Sequence, residues 1–105
     1  MIKTTQANNL INLVDYQDGT IVSKTLIDKK SGTTTIFAFD KNQGLSEHTA
    51  PFDALVIILD GEVKITISGK PFNLKKDEYI TIPANEPHAV YAPTKMKMLL
   101  VMIHS

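Results

Sequence analysis

A chain of 105 residues has room for one domain around one hydrophobic core and none for a second. Eleven lysines offset eleven acidic side chains, so the formal charge is zero; this argues against a general nucleic-acid or anionic-membrane partner. Every basic residue is Lys, which removes any guanidinium clamp on carboxylate or phosphate. With no cysteine, disulfides, thiolate zinc sites and cysteine nucleophiles are excluded.

Met1-Ile2-Lys3-Thr4-Thr5-Gln6 lacks the apolar stretch of a signal peptide. The longest central apolar run, Ala54–Leu59, is far short of a membrane span, so the expected location is the cytoplasm. Gln6–Leu13 carries at most a turn or two of helical period. Beyond it, Gly and Pro recur at near-regular intervals between short β-rich runs, as in a sandwich or barrel. Thr20–Asp28 is the first run, and Thr33–Asp40 follows the turn Lys29-Lys30-Ser31-Gly32. Phe52–Leu59 is nearly all apolar, as expected of a strand covered on both faces. Asp60-Gly61 is the strongest turn signal in the chain. After it Val63, Ile65 and Ile67 alternate with Lys64, Thr66 and Ser68, a strand with one solvated face. Ser68-Gly69-Lys70-Pro71 turns the chain again, and Glu78–Ile82, Pro87–Ala92 and Lys95–Ile103 complete the set. The last run places Met96, Met98, Leu100 and Met102 on one face, as core or dimer surface. No strand–helix alternation suggests a parallel α/β sheet. The reading is one all-β domain over 1–105, with an N-terminal segment at 1–14 and barrel strands across 20–103.

Few residues can carry chemistry. His48 sits in Ser46-Glu47-His48-Thr49-Ala50, which leads into the Phe52 strand. His88 closes Pro83-Ala84-Asn85-Glu86-Pro87-His88, which leads into the Pro87–Ala92 strand. A histidine at a strand start is commonly a hydrogen-bonded structural residue, and penultimate His104 reads as frayed surface. No phosphate-binding glycine loop is present, and Ser46 lies in no nucleophile elbow. Lys29-Lys30 and Lys75-Lys76 fall at turns and read as solvated. Tyr79 and Tyr91 could lend a hydroxyl to a pocket, although edge or interface positions suit them better.

Two stretches resemble the paired motifs of the cupin family, of the small RmlC-like, cupin 2 type. In Gly44–Gly61, His48 stands at the first histidine of the first motif and Gly61 at its closing glycine, but Ala50 and Ala54 stand where a second His and a Glu are usual. In Lys76–Ala92, Pro83 and His88 match the second motif, whereas Lys76, Asn85 and Ala92 replace Gly, Gly and Asn. The resemblance covers about half of the chain directly. It implies a double-stranded β-helix, the jelly-roll barrel, with a divalent transition metal held by three His and one Glu. Only His48 and His88 of those four ligands remain, and Ala50 and Ala54 have no donor atoms. Asp53 is a candidate third ligand, if a bulge near Pro51 turns it inward against strand parity.

If Ala54 faces inward, alternation brings Phe52, Val56, Ile58, Val63, Ile65 and Ile67 with it. The expected pocket is therefore apolar, lined by Ala50, Phe52, Ala54, Val56, Ile65 and Tyr91, with His48 and His88 as its polar elements. Most of these side chains should be packed core, leaving only the layer beside the histidines open. Two functions compete: a homodimeric cupin that binds a small molecule without chemistry, and a metal-dependent dioxygenase or isomerase with a reduced ligand set. The eroded ligands favour the first; the survival of a histidine at both matching positions motivates the second.

Overall fold

The computed structural model describes residues 5–104. Residues 1–4, the start of the stretch read above for a leader, and residue 105 lie outside the described residues. Nine strands follow one 3-10 turn at Leu10–Asn12: β1 (Ile21–Lys29), β2 (Gly32–Phe39), β3 (Gly44–His48), β4 (Phe52–Asp60), β5 (Glu62–Ile67), β6 (Lys70–Lys75), β7 (Tyr79–Ile82), β8 (His88–Tyr91) and β9 (Met96–His104). They form two antiparallel sheets, ordered β1-β2-β9-β4-β7 and β3-β8-β5-β6. From β2 to β5 the chain changes sheet at every connection, and it does so again from β6 to β9. This is the expected jelly roll.

The period-2 pattern sets the inner face. Cross-strand rows run Phe37–Met98–Ile58 and Thr35–Leu100–Val56–Ile80 through the five-stranded sheet. Val63, Ile65 and Val90 meet them from the four-stranded sheet, in one core with Phe39, Ile82 and Met96. Met96 and Met98 are therefore core residues. Burying an aliphatic side chain of this kind contributes about 1.5–3 kcal/mol each, and these apolar faces are what hold the sheets together.

The other face of the five-stranded sheet has its own cover. Val14 joins Ile36 and Ala38 in a second buried cluster, flanked by Leu10, Leu13, Tyr16 and Leu99. The N-terminal segment is thus strapped across the outside of β2 and β9. Polar contacts fasten it: Lys97 Nζ donates to the Ile11 carbonyl at 2.7 Å, and the Tyr16 hydroxyl donates to Asp60. The Lys97 ammonium also lies 5.0 Å from the centre of the Tyr16 ring.

Two turns show why the residues fall where they do. Gly61 has φ +70°, and a Cβ there would stand 2.0 Å from the Lys95 carbonyl oxygen, so neither strain nor space permits a side chain. Ser68 and Gly69 both have positive φ, at +49° and +80°, and close the two-residue hairpin between paired Ile67 and Lys70. The sequence reading placed Lys70 and Pro71 in that turn, whereas they open β6. Pro71 is tolerated because β6 is an edge strand.

Candidate functional site

One end of the barrel gathers the histidines. β2 runs away from Gly32, the Asp40–Gln43 connection carries the chain to the other sheet, and β3 runs back to His48. Thr33, at the start of β2, and His48, at the end of β3, therefore share an end. Phe52 opens β4 there after a three-residue connection, and antiparallel pairing brings His104 of β9 opposite Phe52.

His48 and His88 are direct cross-strand partners. Their ring centres are 4.3 Å apart at an interplanar angle of 60°. Each ring is oriented by its own chain two residues upstream: His48 Nδ1 lies 2.8 Å from the Ser46 carbonyl oxygen, and His88 Nδ1 lies 3.0 Å from that of Glu86. A carbonyl only accepts, so Nδ1 carries a proton in both rings, and Nε2 is the ring nitrogen left for another partner. That is how a protein presents imidazoles as hydrogen-bond acceptors, bases or metal ligands. Both were read from sequence as residues at strand starts; His48 instead closes β3. The Gly44–His48 segment offered no apolar alternation, because β3 is an edge strand exposed along its length. The strand is irregular where it matters, with a register shift between Leu45 and His48.

The rest of the expected ligand set is absent. Asp53 keeps regular register opposite Ile103, on the face of β4 away from Ala54, so no bulge near Pro51 redirects it. Its carboxylate accepts the Ala84 N–H at 2.9 Å and ties down the loop before His88. Asp53 is therefore a loop anchor and not a third ligand. Among the described residues, no three His, Cys, Asp or Glu side chains gather as a metal site. The residues present do not fit the four-ligand centre that the family resemblance implies, because two imidazoles are all that the described residues bring together there.

The pocket residues divide. Val56 and Ile65 are 2% and 0% exposed, sealed within the core below the site. Ala54 and Phe52 lie on the same inner face, closer to the histidines, and the Ala50 carbonyl accepts the Asn85 N–H in the neighbouring connection. Tyr91 is not brought to the site. It stands on the face of β8 opposite His88 and Val90, and its hydroxyl donates to the Asn42 side chain at 2.7 Å. Tyr79 is exposed on edge strand β7. His104 was read as frayed; it is the last residue of β9, and its ring meets Phe52 edge-on with centres 5.2 Å apart.

Sequence reasoning passed over a row of hydroxyl side chains. Ser23, Thr25, Thr33 and Thr35 lie on the inner face of β1 and β2, by their pairing with Phe37, Leu100 and Met102. Thr25 and Thr35 place their hydroxyl oxygens 3.3 Å apart. The Thr33 hydroxyl is buried and has no hydrogen-bond partner. The alternation of Thr33 and Thr35 with Phe37 and Phe39 was the available signal, since it puts both threonines on the core side.

Residues 35–104 match the family model described as "Cupin domain". The chain belongs to the cupin family. Solved relatives agree. A conserved protein of unknown function from Streptococcus pyogenes is 33% identical, with a TM-score of 0.94 over 99% of this chain and 91% of its own. A cupin 2 conserved barrel domain protein from Leptotrichia buccalis is 50% identical, with a TM-score of 0.89 over 91% of this cupin. This cupin spans 47% of that protein, about half its length. A putative mannose-6-phosphate isomerase from Ralstonia eutropha, 17% identical with a TM-score of 0.84 over 96% of this chain and 100% of its own, shares the fold alone. No curated protein matches. No helix among the described residues is long and apolar enough to cross a membrane.

Proposed function

We propose that this cupin binds a small molecule at the histidine end of its barrel, with His48 and His88 as the groups that recognise it. The supporting observation is the paired orientation of the two imidazoles, each anchored through Nδ1 to a backbone carbonyl with Nε2 left for a guest. The test is metal analysis of protein purified without chelator, alongside calorimetric titration of Co²⁺ into wild type and His48→Ala. We expect substoichiometric metal and at most weak Co²⁺ binding. One equivalent of tightly held metal, lost in His48→Ala, would support the metal-dependent reading instead.

We also propose that two copies associate. The outer face of the five-stranded sheet carries Ile27, Val101, Leu55 and Ile103, with Thr34 between Ile27 and Val101. Ile27 is 45% and Ile103 59% exposed, which favours a protein partner over water.

A further inference from the structure

We propose that the end of the barrel opposite the histidines is a second ligand site, a lysine-lined groove that binds a short chain of condensed phosphates.

The topology builds this end from four connections, β2–β3, β4–β5, β6–β7 and β8–β9. A groove of about 790 Å³ opens among them. That lies within the range of about 300–1,000 Å³ usual for small-molecule sites. Three of the connections bring lysine to it: Lys41 after β2, Lys75 and Lys76 at the end of β6, and Lys95 before β9. The fourth contributes Gly61, whose missing side chain lets the β4–β5 turn close against the Lys95 carbonyl.

Backbone hydrogen bonds hold this frame. The Asn42 N–H donates to the Ala92 carbonyl at 2.7 Å, and the Ala92 N–H to the Gln43 carbonyl at 2.9 Å, which joins the connections that carry Lys41 and Lys95. The Glu62 N–H donates to Thr94 Oγ1 at 3.0 Å, and the Asp77 N–H to the Ile58 carbonyl at 2.8 Å. The four lysine side chains are exposed, so flexible ammonium groups stand on a fixed base.

Charge selects the guest. Among the described residues that line the groove, four lysines face one acid, Glu62. Asp40, Asp60, Asp77 and Glu78 share this end but lie outside the lining. Three of them are engaged by neighbours: Asp40 accepts the Gly19 and Lys41 N–H groups, Asp60 the Tyr16 hydroxyl, and Glu78 the Lys75 N–H. Their charge keeps the surrounding surface balanced, so attraction for anions is confined to the groove. A lone anion can meet only one or two of the ammonium groups, whereas a phosphate chain carries charge at every link. Lysine is a point charge on a flexible stem, suited to phosphate oxygens spread in several directions; a planar carboxylate is better matched by the guanidinium that this chain lacks.

The probe is sodium tripolyphosphate, titrated calorimetrically into the full chain in metal-free buffer, with orthophosphate and ATP as further arms. Tripolyphosphate should bind at one site per chain, about fivefold or more tighter than orthophosphate, and should weaken about tenfold when NaCl is raised from about 20 to 200 mM. Lys41→Gln with Lys76→Gln should weaken it about fivefold. Lys29→Gln with Lys30→Gln makes the same charge change at the β1–β2 turn, at the histidine end, and should leave binding unchanged, as should His48→Ala. All four substituted lysines are exposed, so both double variants should melt with the wild type. ATP binding as tightly as tripolyphosphate supports the site and makes its guest the phosphate tail of a nucleotide; weaker ATP binding supports it with an inorganic guest. Equal losses in the two double variants would reduce the effect to net charge and overturn the site. Orthophosphate binding as tightly as tripolyphosphate, or no saturable binding, would overturn it too, and loss of binding in His48→Ala would move the guest to the other end of the barrel.

Discussion

The two imidazoles are set by covalent neighbours rather than by distant parts of the fold. Each Nδ1 reaches a carbonyl two residues back, so ring orientation follows once the local backbone is fixed. Asp53 fixes part of that backbone from the side. Asp53→Ala should lose about 0.5–1.5 kcal/mol in urea denaturation, because the exposed Ala84 N–H exchanges its carboxylate acceptor for water. It should leave any Co²⁺ binding at the histidines unchanged; a parallel loss of Co²⁺ binding would restore Asp53 as a ligand. Tyr16 offers a pH test of the strap. Burial, and secondarily the Asp60 carboxylate beside it, pushes its phenol well above the ordinary value of 10. Folding thus favours the protonated phenol. Its contribution is full below pH 10 and fades as pH climbs through the raised folded value. Tyr16→Phe should cost about 0.5–1.5 kcal/mol at pH 8 and should flatten the alkaline fall in stability, read by circular dichroism across pH 8–12.

At the scale of elements, the legible strands were those with a buried face. Phe52–Leu59 and Lys95–Ile103 appear within a residue of their observed limits, because apolar alternation and the Asp60-Gly61 turn act locally. β3 and β6 were not recognised as strands. Gly44-Leu45-Ser46-Glu47-His48 has a single apolar side chain, and it is a strand only because β8 lies beside it. The same cause hid part of the site. His48 and His88 were picked out from motif spacing, but their mutual contact depends on a β3–β8 register that spacing alone does not give. The inward row of threonines was hidden because threonine suits either face of a strand. Gly61 is the position where local and global demands coincide. Gly61→Ala should lower the melting temperature by more than 5 °C, since the added methyl meets a backbone carbonyl and the φ is unfavourable. An unchanged melting temperature would mean that the β4–β5 turn can be remade.

For the whole molecule, core and site are separable layers. Ile65→Ala should cost about 2–5 kcal/mol in denaturant unfolding, through transfer and cavity terms, without changing His-dependent Co²⁺ binding. The outer sheet gives a third layer. Light scattering at tens of micromolar should report a dimer, and Ile103→Lys should shift it to monomer with little change in unfolding midpoint per chain. A wild-type monomer would end that reading. The edge position of β3 has a consequence of another kind. Half of the imidazole pair hangs on a strand with one neighbour and little apolar anchorage, so it belongs to the part of the protein that opens first. Amide protons of Ser46–His48 should exchange with solvent far sooner than those of β4 or β9. Occupancy of the site would then be written into exchange rates: a guest held by the imidazoles slows that local opening, and the protein reports binding by becoming quieter at one edge.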